Sequence, residues 1–322
     1  MRVLITGGAG YIGSGLAPLL LGAGHKVRVL DRLVYGGESL LGVWANPNFE
    51  FVHGDVREAG KRKEAVADCD AVVHLAAVVG DPACAREPEL AKAVNLEASL
   101  ALIEESRRAG VQRFVFASTC SNYGKMSDPT SFVNEESELR PVSLYAETKV
   151  AVEKTLLEGG TDDKWIPTPL RFATVFGASP RMRFDLTVNE FTMEMITKKH
   201  LVVFGEQFWR PYVHVFDAAR GIALVLSSPG EKVGGRVFNV GSTDQNLQKQ
   251  QIVELIKPLV PDAKIEFVHK AEDPRDYRVS FDRILNELGY RTTRSVVDGI
   301  LEVAKMVRTG AISNLADSRY RN

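Results

Sequence analysis

Tyr145-Ala146-Glu147-Thr148-Lys149 sets a phenol and an ammonium four positions apart. On a helix, positions i and i+4 share a face, so both groups can point into one cleft. A free phenol has a pKa near 10, and ionising it at pH 7 costs about 4 kcal/mol. A cation within about 4 to 6 Å lowers such a pKa by roughly 1 to 3 units, and together with a second positive charge on the oxidant that takes up a hydride it brings Tyr145 within working range as a proton acceptor and, in reverse, a proton donor. Just upstream, Ser118-Thr119-Cys120-Ser121-Asn122-Tyr123-Gly124 ends an aromatic and β-branched run. There the Thr119 hydroxyl could hydrogen-bond the same oxygen that exchanges a proton with Tyr145. Cys120 and Ser121 are further catalytic candidates, although Cys120 reads first as a small packed residue and only second as a reactive thiol.

The chain opens on Val3-Leu4-Ile5-Thr6-Gly7-Gly8-Ala9-Gly10-Tyr11-Ile12-Gly13, a strand, a glycine turn and a helix start. Gly7 permits the tight turn, Gly10 lets backbone approach a pyrophosphate, and Gly13 lets helix pack close to strand; Tyr11 and Ile12 complete the turn, whose helix offers free N–H groups to phosphates. Asp31 closes the second strand 18 residues after Gly13, where a carboxylate can accept hydrogen bonds from the adenosine ribose, which favours NAD. Arg32 would suit a 2′-phosphate and keeps NADP open. Asp55 and Val56 fall where a carboxylate could reach the adenine amino group, though a helix cap uses Asp55 nearly as well. His74-Leu75-Ala76-Ala77 ends the fourth strand in small residues, as backbone lying against a cofactor requires, and His74 reads as a packed strand histidine. Asn95, on the next helical segment, is the remaining cofactor candidate.

The elements that must position these residues are written in the periodicity. Short apolar runs at Val3 to Thr6, Val27 to Asp31, Phe49 to His53, Ala71 to Leu75, Arg113 to Ser118, Thr168 to Phe172 and Arg236 to Val240 alternate with helical patterns such as Ser14 to Leu21, Glu89 to Ala109 and Ser143 to Glu158. Such alternation predicts βαβ units and an α/β fold: a Rossmann-type doubly wound parallel sheet, with ligands at the carboxyl ends of the strands. The second half, richer in turns and with one strand-like run at Lys264 to His269, predicts a smaller C-terminal α/β lobe that binds substrate. Residues 1–175, joined by 212–242, form the expected dinucleotide domain, and 176–211 with 243–322 the lobe. The polar residues after Ala311 are expected to fray.

Composition narrows the partners. Forty basic residues stand against forty-one acidic ones among 322, without a basic run, so no nucleic-acid partner is expected. Cys69, Cys84 and Cys120 show no CxxC spacing, which argues against disulfides and a zinc site; no metal is expected, and a reducing cytoplasm is the expected location. No apolar stretch approaches the roughly 18 residues of a membrane helix, so neither membrane anchor nor signal peptide is expected.

Together, TGGAGYIGS, HLAA, STCSNYG, YAETK, LRFATVFG, RPYVHVFDAA, FNVG and DPRDYR resemble the extended short-chain dehydrogenase/reductase family, in its NAD-dependent nucleotide-sugar epimerase/dehydratase branch. The resemblance spans nearly the whole chain. It implies a seven-stranded sheet, a sugar-nucleotide lobe and a homodimer packed through two helices per subunit. It carries the catalytic roles onto Thr119, Tyr145 and Lys149, and the cofactor roles onto Gly7, Gly10, Gly13, Asp31, Asp55 and Lys149, the last also holding the nicotinamide ribose. In the lobe, Arg210 matches a position that binds the sugar nucleotide's diphosphate or ribose, and Arg275 and Arg278 lie near a second such arginine, since an arginine fork fits phosphate oxygens. Asp81 and Asn189 belong to the two segments, Gly80 to Cys84 and Arg181 to Asn189, that fall where the family contacts its substrate.

Two departures bear on function. The family's 4,6-dehydratases carry an Asp-Glu pair after the catalytic Thr, whereas Cys120-Ser121 stands here and disfavours elimination of water. The segments holding Asp81 and Asn189 do not read like the UDP-galactose 4-epimerase pattern, which points away from UDP-glucose as the simple substrate. The expected activity is nucleotide-sugar epimerisation, most simply at C4 of the hexose, by transient hydride transfer to NAD. The alternative is an NAD(P)H-dependent 4-keto-sugar reductase; a 4,6-dehydratase or a non-catalytic dinucleotide-binding protein ranks below both.

Overall fold

A computed structural model describes residues 1–126, 128, 131–273 and 275–322. Among them the strands are β1 (Arg2–Thr6), β2 (Lys26–Asp31), β3 (Phe49–His53), β4 (Ala71–His74), β5 (Arg113–Thr119), β6 (Ile166–Phe172), β7 (Thr174–Phe176), β8 (His200–Phe204), β9 (Trp209–His214), β10 (Phe238–Val240), β11 (Asn246–Gln248) and β12 (Lys264–Val268). Seven form one parallel sheet in the order β10-β6-β5-β4-β1-β2-β3. From β1 the chain winds outward through β2 and β3, then crosses to β4 on the other side of β1. The carboxyl ends of β1 and β4 therefore flank the point where the winding reverses, which is where open α/β sheets bind their ligands.

The larger helices are α1 (Gly13–Gly22), α2 (Ala98–Arg108), α3 (Leu144–Glu158), α4 (Thr187–Lys198), α5 (Val215–Ser227), α6 (Lys249–Ile256) and α7 (Val296–Arg308). One face of the sheet is covered by α1 and α5, with Leu16, Leu20, Ile222 and Val225 buried against Val3, Ile5 and Val29. On the other face, α2 and α3 bury Leu102, Val152 and Leu156 against Leu4, Phe114 and Phe116. A sheet covered on both faces has strands that read as continuous apolar runs, which is why β1 to β6 were legible. Each fully buried Leu or Phe contributes about 1.5 to 3 kcal/mol.

The lobe is built on two small sheets, β9 between β7 and β11, and β8 beside β12. Around them α4, α6 and α7 close a core that includes Phe176, Val188, Met195, Tyr212, Ile252 and Ile300. Two sequence expectations change. Glu89 to Ala109 is not one regular helix: Ala93–Glu97 forms a π-helical turn before α2, where the Ser99 hydroxyl bonds the Asn95 carbonyl at 2.9 Å and meets His74 Nε2 at 2.8 Å. The expected fraying after Ala311 is also overturned. Ile312, Leu315 and Tyr320 pack on Met182 and Phe184, and the Phe184 amide donates to the Tyr320 carbonyl at 2.8 Å.

Candidate active site

The glycine turn sits at the carboxyl end of β1. Gly7 has φ of +73°, and a Cβ there would lie 2.8 Å from the Ala76 amide nitrogen, so a side chain would collide with the end of β4. At Gly13 a Cβ would fall 2.6 Å from the Gly7 carbonyl oxygen, where α1 presses on the turn. Among the described residues, the Ile12 and Gly13 amides that open α1 bond to nothing in the protein. Free amides at a helix N-terminus behind a turn stripped of side chains suit a pyrophosphate.

Asp31 pins this turn to β2: its carboxylate accepts from the Ala9 amide at 3.0 Å and the Leu33 amide at 2.8 Å. Burial nonetheless raises its pKa. Arg32 turns sideways onto Asp55 at 3.0 Å, and Arg57 approaches the same carboxylate at 2.8 Å. Burial opposes ionisation of Asp55, but the hydrogen bonds and charge of Arg57, with Arg32 behind it, hold its pKa at about 2. Arg32 thus shares Asp55 with Arg57, and two guanidinium groups on one carboxylate leave this corner with a net positive charge. The Val56 side chain lies in the core, leaving only its backbone for a cofactor.

At the end of β4, Thr6 Oγ1 lies 2.6 Å from His74 Nδ1 and accepts from the Ala76 amide at 3.3 Å. Burial, aided by the Lys149 charge, lowers His74 to about 3, so it stays a neutral packed strand histidine. Two candidates are corrected. Asn95 spends its amide on both backbone groups of Val78, accepting at 2.8 Å and donating at 2.9 Å, so it shapes the loop after Leu75-Ala76-Ala77 from behind. Asn189 is fully buried, accepting from the Gly177 amide and donating to Tyr11 Oη and the Arg183 carbonyl. With these bonds made, it braces the lobe and offers nothing to substrate. Tyr11 sends its hydroxyl to the Gly177 carbonyl at 2.6 Å, so it is its backbone that belongs to the glycine turn.

Helix α3 delivers the candidate catalytic couple. Ser143 caps it, accepting from the Ala146 amide at 3.3 Å and donating to Asp81 at 2.7 Å, so Tyr145 occupies the first turn and Lys149 the next. The Lys149 ammonium is 3% exposed, donates to the Ala117 carbonyl at 2.8 Å and lies 5.9 Å from the Tyr145 ring centre. Burial, only partly offset by Cys84, lowers Lys149 to about 8. Burial also raises the Tyr145 phenol, with Cys84 and Asp81 adding to the rise and Arg183 opposing it. In the protein alone the phenol therefore keeps its proton, desolvation being the largest influence on it.

Thr119 ends β5 with Oγ1 accepting from the Ser121 amide at 3.1 Å, leaving its hydroxyl hydrogen to donate elsewhere. The Ser121 hydroxyl lies 3.4 Å from Tyr277 Oη. Cys120 is the third correction: its thiol is buried in the core and donates to the Arg171 carbonyl at 3.3 Å, and burial pushes its pKa far up, so it is neither nucleophile nor acid. Beneath this turn the buried Glu153–Arg171 pair takes a hydrogen bond from Ser118 at 2.7 Å, and Asn122 donates to Ser118 at 3.0 Å. Arg171 also donates to Tyr123, which donates to Asn239 on β10. Glu153 and Arg171 were missed in the sequence. Their signal was a carboxylate continuing the i+4 series of Tyr145 and Lys149, and an arginine inside an apolar strand.

The lobe supplies the facing wall. Arg210 pairs with Asp273 at 2.8 Å and donates to the Arg275 carbonyl; Arg275 pairs with Asp81 at 2.9 Å, while Pro274 between them lies outside the described residues. The Arg278 guanidinium stacks 4.6 Å over Phe132 and 5.1 Å over Trp209. Tyr277, also missed, sits beneath Arg210 at 5.6 Å and against Ser121. Asp81, Ser143, Ser121, Tyr277, Arg210 and Arg275 thus form a connected wall beside Tyr145. Among the described residues no His, Cys, Asp or Glu grouping could hold a metal, and no helix is long and apolar enough to cross a membrane.

The family model described as the NAD dependent epimerase/dehydratase family matches residues 3–241. A dTDP-glucose 4,6-dehydratase of Actinoplanes sp. is 31% identical, over 96% of this chain and 98% of that protein. A UDP-glucose 4-epimerase of Corynebacterium glutamicum is 26% identical, over 94% of each. Among solved structures, the Thermus thermophilus UDP-glucose 4-epimerase complex with NAD superposes with a TM-score of 0.83 at 28% identity, over 97% of this chain and all of that one.

Proposed function

Because the chain belongs to the NAD-dependent epimerase/dehydratase family, we propose that it is a nucleotide-sugar epimerase that inverts a hexose carbon, most simply C4. Bound NAD supplies the hydride acceptor and donor. Gly7, Gly10, Gly13 and the free amides of Ile12 and Gly13 would hold its pyrophosphate, Asp31 its adenosine ribose, and Lys149 its nicotinamide ribose. The last assignment fits an ammonium with one N–H on Ala117 and two to spare.

In this reading Tyr145 takes the proton of the sugar hydroxyl and returns it to the new alkoxide, while Thr119 donates a hydrogen bond to that oxygen. Arg210 and Arg275 offer their forks to the diphosphate, sharing them with Asp273 and Asp81. The observation that carries epimerisation over dehydration is the residue pair after Thr119. Removing water across C5 and C6 needs an acid and a base beside the sugar; Cys120 faces the core, Ser121 does not ionise, and Asp81 and Asp185 are each held in an arginine pair. The test presents purified protein with UDP-, dTDP-, GDP- and CDP-hexoses without added dinucleotide and reads products by proton NMR. The expected result is one C4 epimer pair reaching the same ratio from either side. A 4-keto-6-deoxy product would establish dehydration instead, and a strict need for stoichiometric NAD(P)H a reductase.

A further inference from the structure

Arg181 is buried to 5% exposure, yet among the described residues no carboxylate lies within ion-pair distance of it and its Nε bonds to nothing. Its bonds come from Nη2 alone, to the Arg321 carbonyl at 3.3 Å and the Asn322 side-chain oxygen at 2.7 Å. The nearest acid, Asp185, is committed to Arg183 at 2.7 Å and to the Asn322 amide at 3.1 Å. A buried charge without a counter-ion costs several kcal/mol, so a site that keeps one has a use for it.

Its position says which use. The Arg181 backbone amide donates to Ser14 Oγ in the first turn of α1 at 3.4 Å, and Ser179 Oγ donates to the Tyr11 carbonyl at 2.7 Å. The guanidinium stacks on the Tyr35 ring at 3.8 Å, in the loop that follows Asp31. Arg181 therefore has its backbone on the first turn of α1 and its guanidinium on the loop that follows Asp31. Burial and the neighbouring Arg183 lower its pKa to about 10, against the opposing pull of Tyr35, Asp185 and Tyr11, so at pH 7 it stays charged.

We propose that Arg181 is a ligand of the dinucleotide's pyrophosphate, closing on it from the lobe opposite the amides of α1, and that residues 317–322 form a strap that holds this arginine and slows the cofactor's release. The strap is tied on both sides of the crevice. Arg319 pairs with Glu38 at 3.0 Å, beyond β2, and Arg86, beyond β4, donates to the Asn322 carbonyl at 3.1 Å. Since β1 lies between β2 and β4, the strap crosses the carboxyl end of β1, above the glycine turn. A fork of charged donors on one side and free helix amides on the other neutralise a diphosphate from both faces. The same chemistry would suit the diphosphate of the sugar nucleotide, but the Ser14 and Tyr35 contacts favour the dinucleotide. The inference rests on NAD binding and is independent of which sugar reacts.

The test is exchange of bound NAD for isotopically labelled NAD from the purified holoenzyme, with UDP-induced thermal shift as a second arm. Arg181→Met should speed exchange at least tenfold, Arg181→Lys less, and the UDP shift should stay as in the wild type. Asn322→Ala, which leaves the guanidinium intact but unties it, should speed exchange several-fold and carries the test should Arg181→Met fail to fold. Wild-type exchange in Arg181→Met, or in Asn322→Ala if that variant alone folds, would overturn the proposal. Loss of the UDP shift with NAD exchange unchanged would also overturn it, assigning Arg181 to the substrate's diphosphate.

Discussion

Burial holds Lys149 at about 8 and lifts the Tyr145 phenol, so at pH 7 each carries its proton and the couple rests in its acid form. A sugar hydroxyl and a positive ring beside the phenol would pull the balance back, which confines proton abstraction to the loaded site. Tyr145→Phe should therefore lower kcat by about a thousandfold or more while NAD affinity stays within about twofold, as read by steady-state rates and cofactor titration. His74 titrates in another window. Its pKa of about 3, against 6.5 unfolded, means the unfolded chain binds a proton below pH 6.5 that the folded one refuses, so stability falls as pH drops from 6.5 towards 3. The slope is up to about 1.4 kcal/mol per pH unit. Urea unfolding between pH 7 and 5 should show it, and His74→Asn should flatten it. Tyr145 and Lys149 were legible because i and i+4 alone align them. Cys120 is the packed residue it first reads as: next to Thr119 at a strand end, it turns to the other side, where the Arg171 carbonyl meets it.

At the scale of elements, the catalytic turn is set by what lies beneath it. Glu153 on α3 and Arg171 on β6 are 1% and 4% exposed in their side chains, and through Ser118, Asn122, Tyr123 and Asn239 they tie β5, β6 and β10 to the helix that carries Tyr145. Glu153→Gln keeps the shape but strands the Arg171 charge, and breaking a buried pair in this way costs about 3 to 5 kcal/mol. Denaturant titration should find a loss of that order; under about 1 kcal/mol would mean the pair is not desolvated as described. Strands β1 to β6 were legible in apolar runs, and α3 in its Ser143 cap and i+4 pattern. The three-residue strands β7 and β11 were not, because so short a run takes its pairing from β9 rather than from its own pattern. The π turn at Asn95 was equally hidden: the partners that favour it, Val78 and His74, are brought there only by the fold.

The whole molecule joins its parts through contacts no local pattern reveals. Arg275 and Asp81 are 194 positions apart, Tyr11 and Gly177 166, and the strap at 317–322, expected to fray, reaches Glu38 and Arg86. Their placement divides the site by task. Arg210, Arg275 and Tyr277 form a wall from the lobe that can keep the nucleotide half of a substrate fixed, while in the proposed reading Tyr145 and Thr119 address the sugar. The proposed inversion would need the hexose to turn over beneath a stationary diphosphate, with the cofactor held throughout. Such a division predicts the fate of the hydride. When a nucleotide sugar deuterated at C4 is mixed with an unlabelled one bearing a different base, deuterium should return to the sugar it left, with under about one part in ten crossing over, and added deuterated NADH should label neither. Mass spectrometry of the two separated products reads both outcomes. Extensive crossover would mean that keto sugar escapes between the two transfers, and so that the wall does not hold the nucleotide.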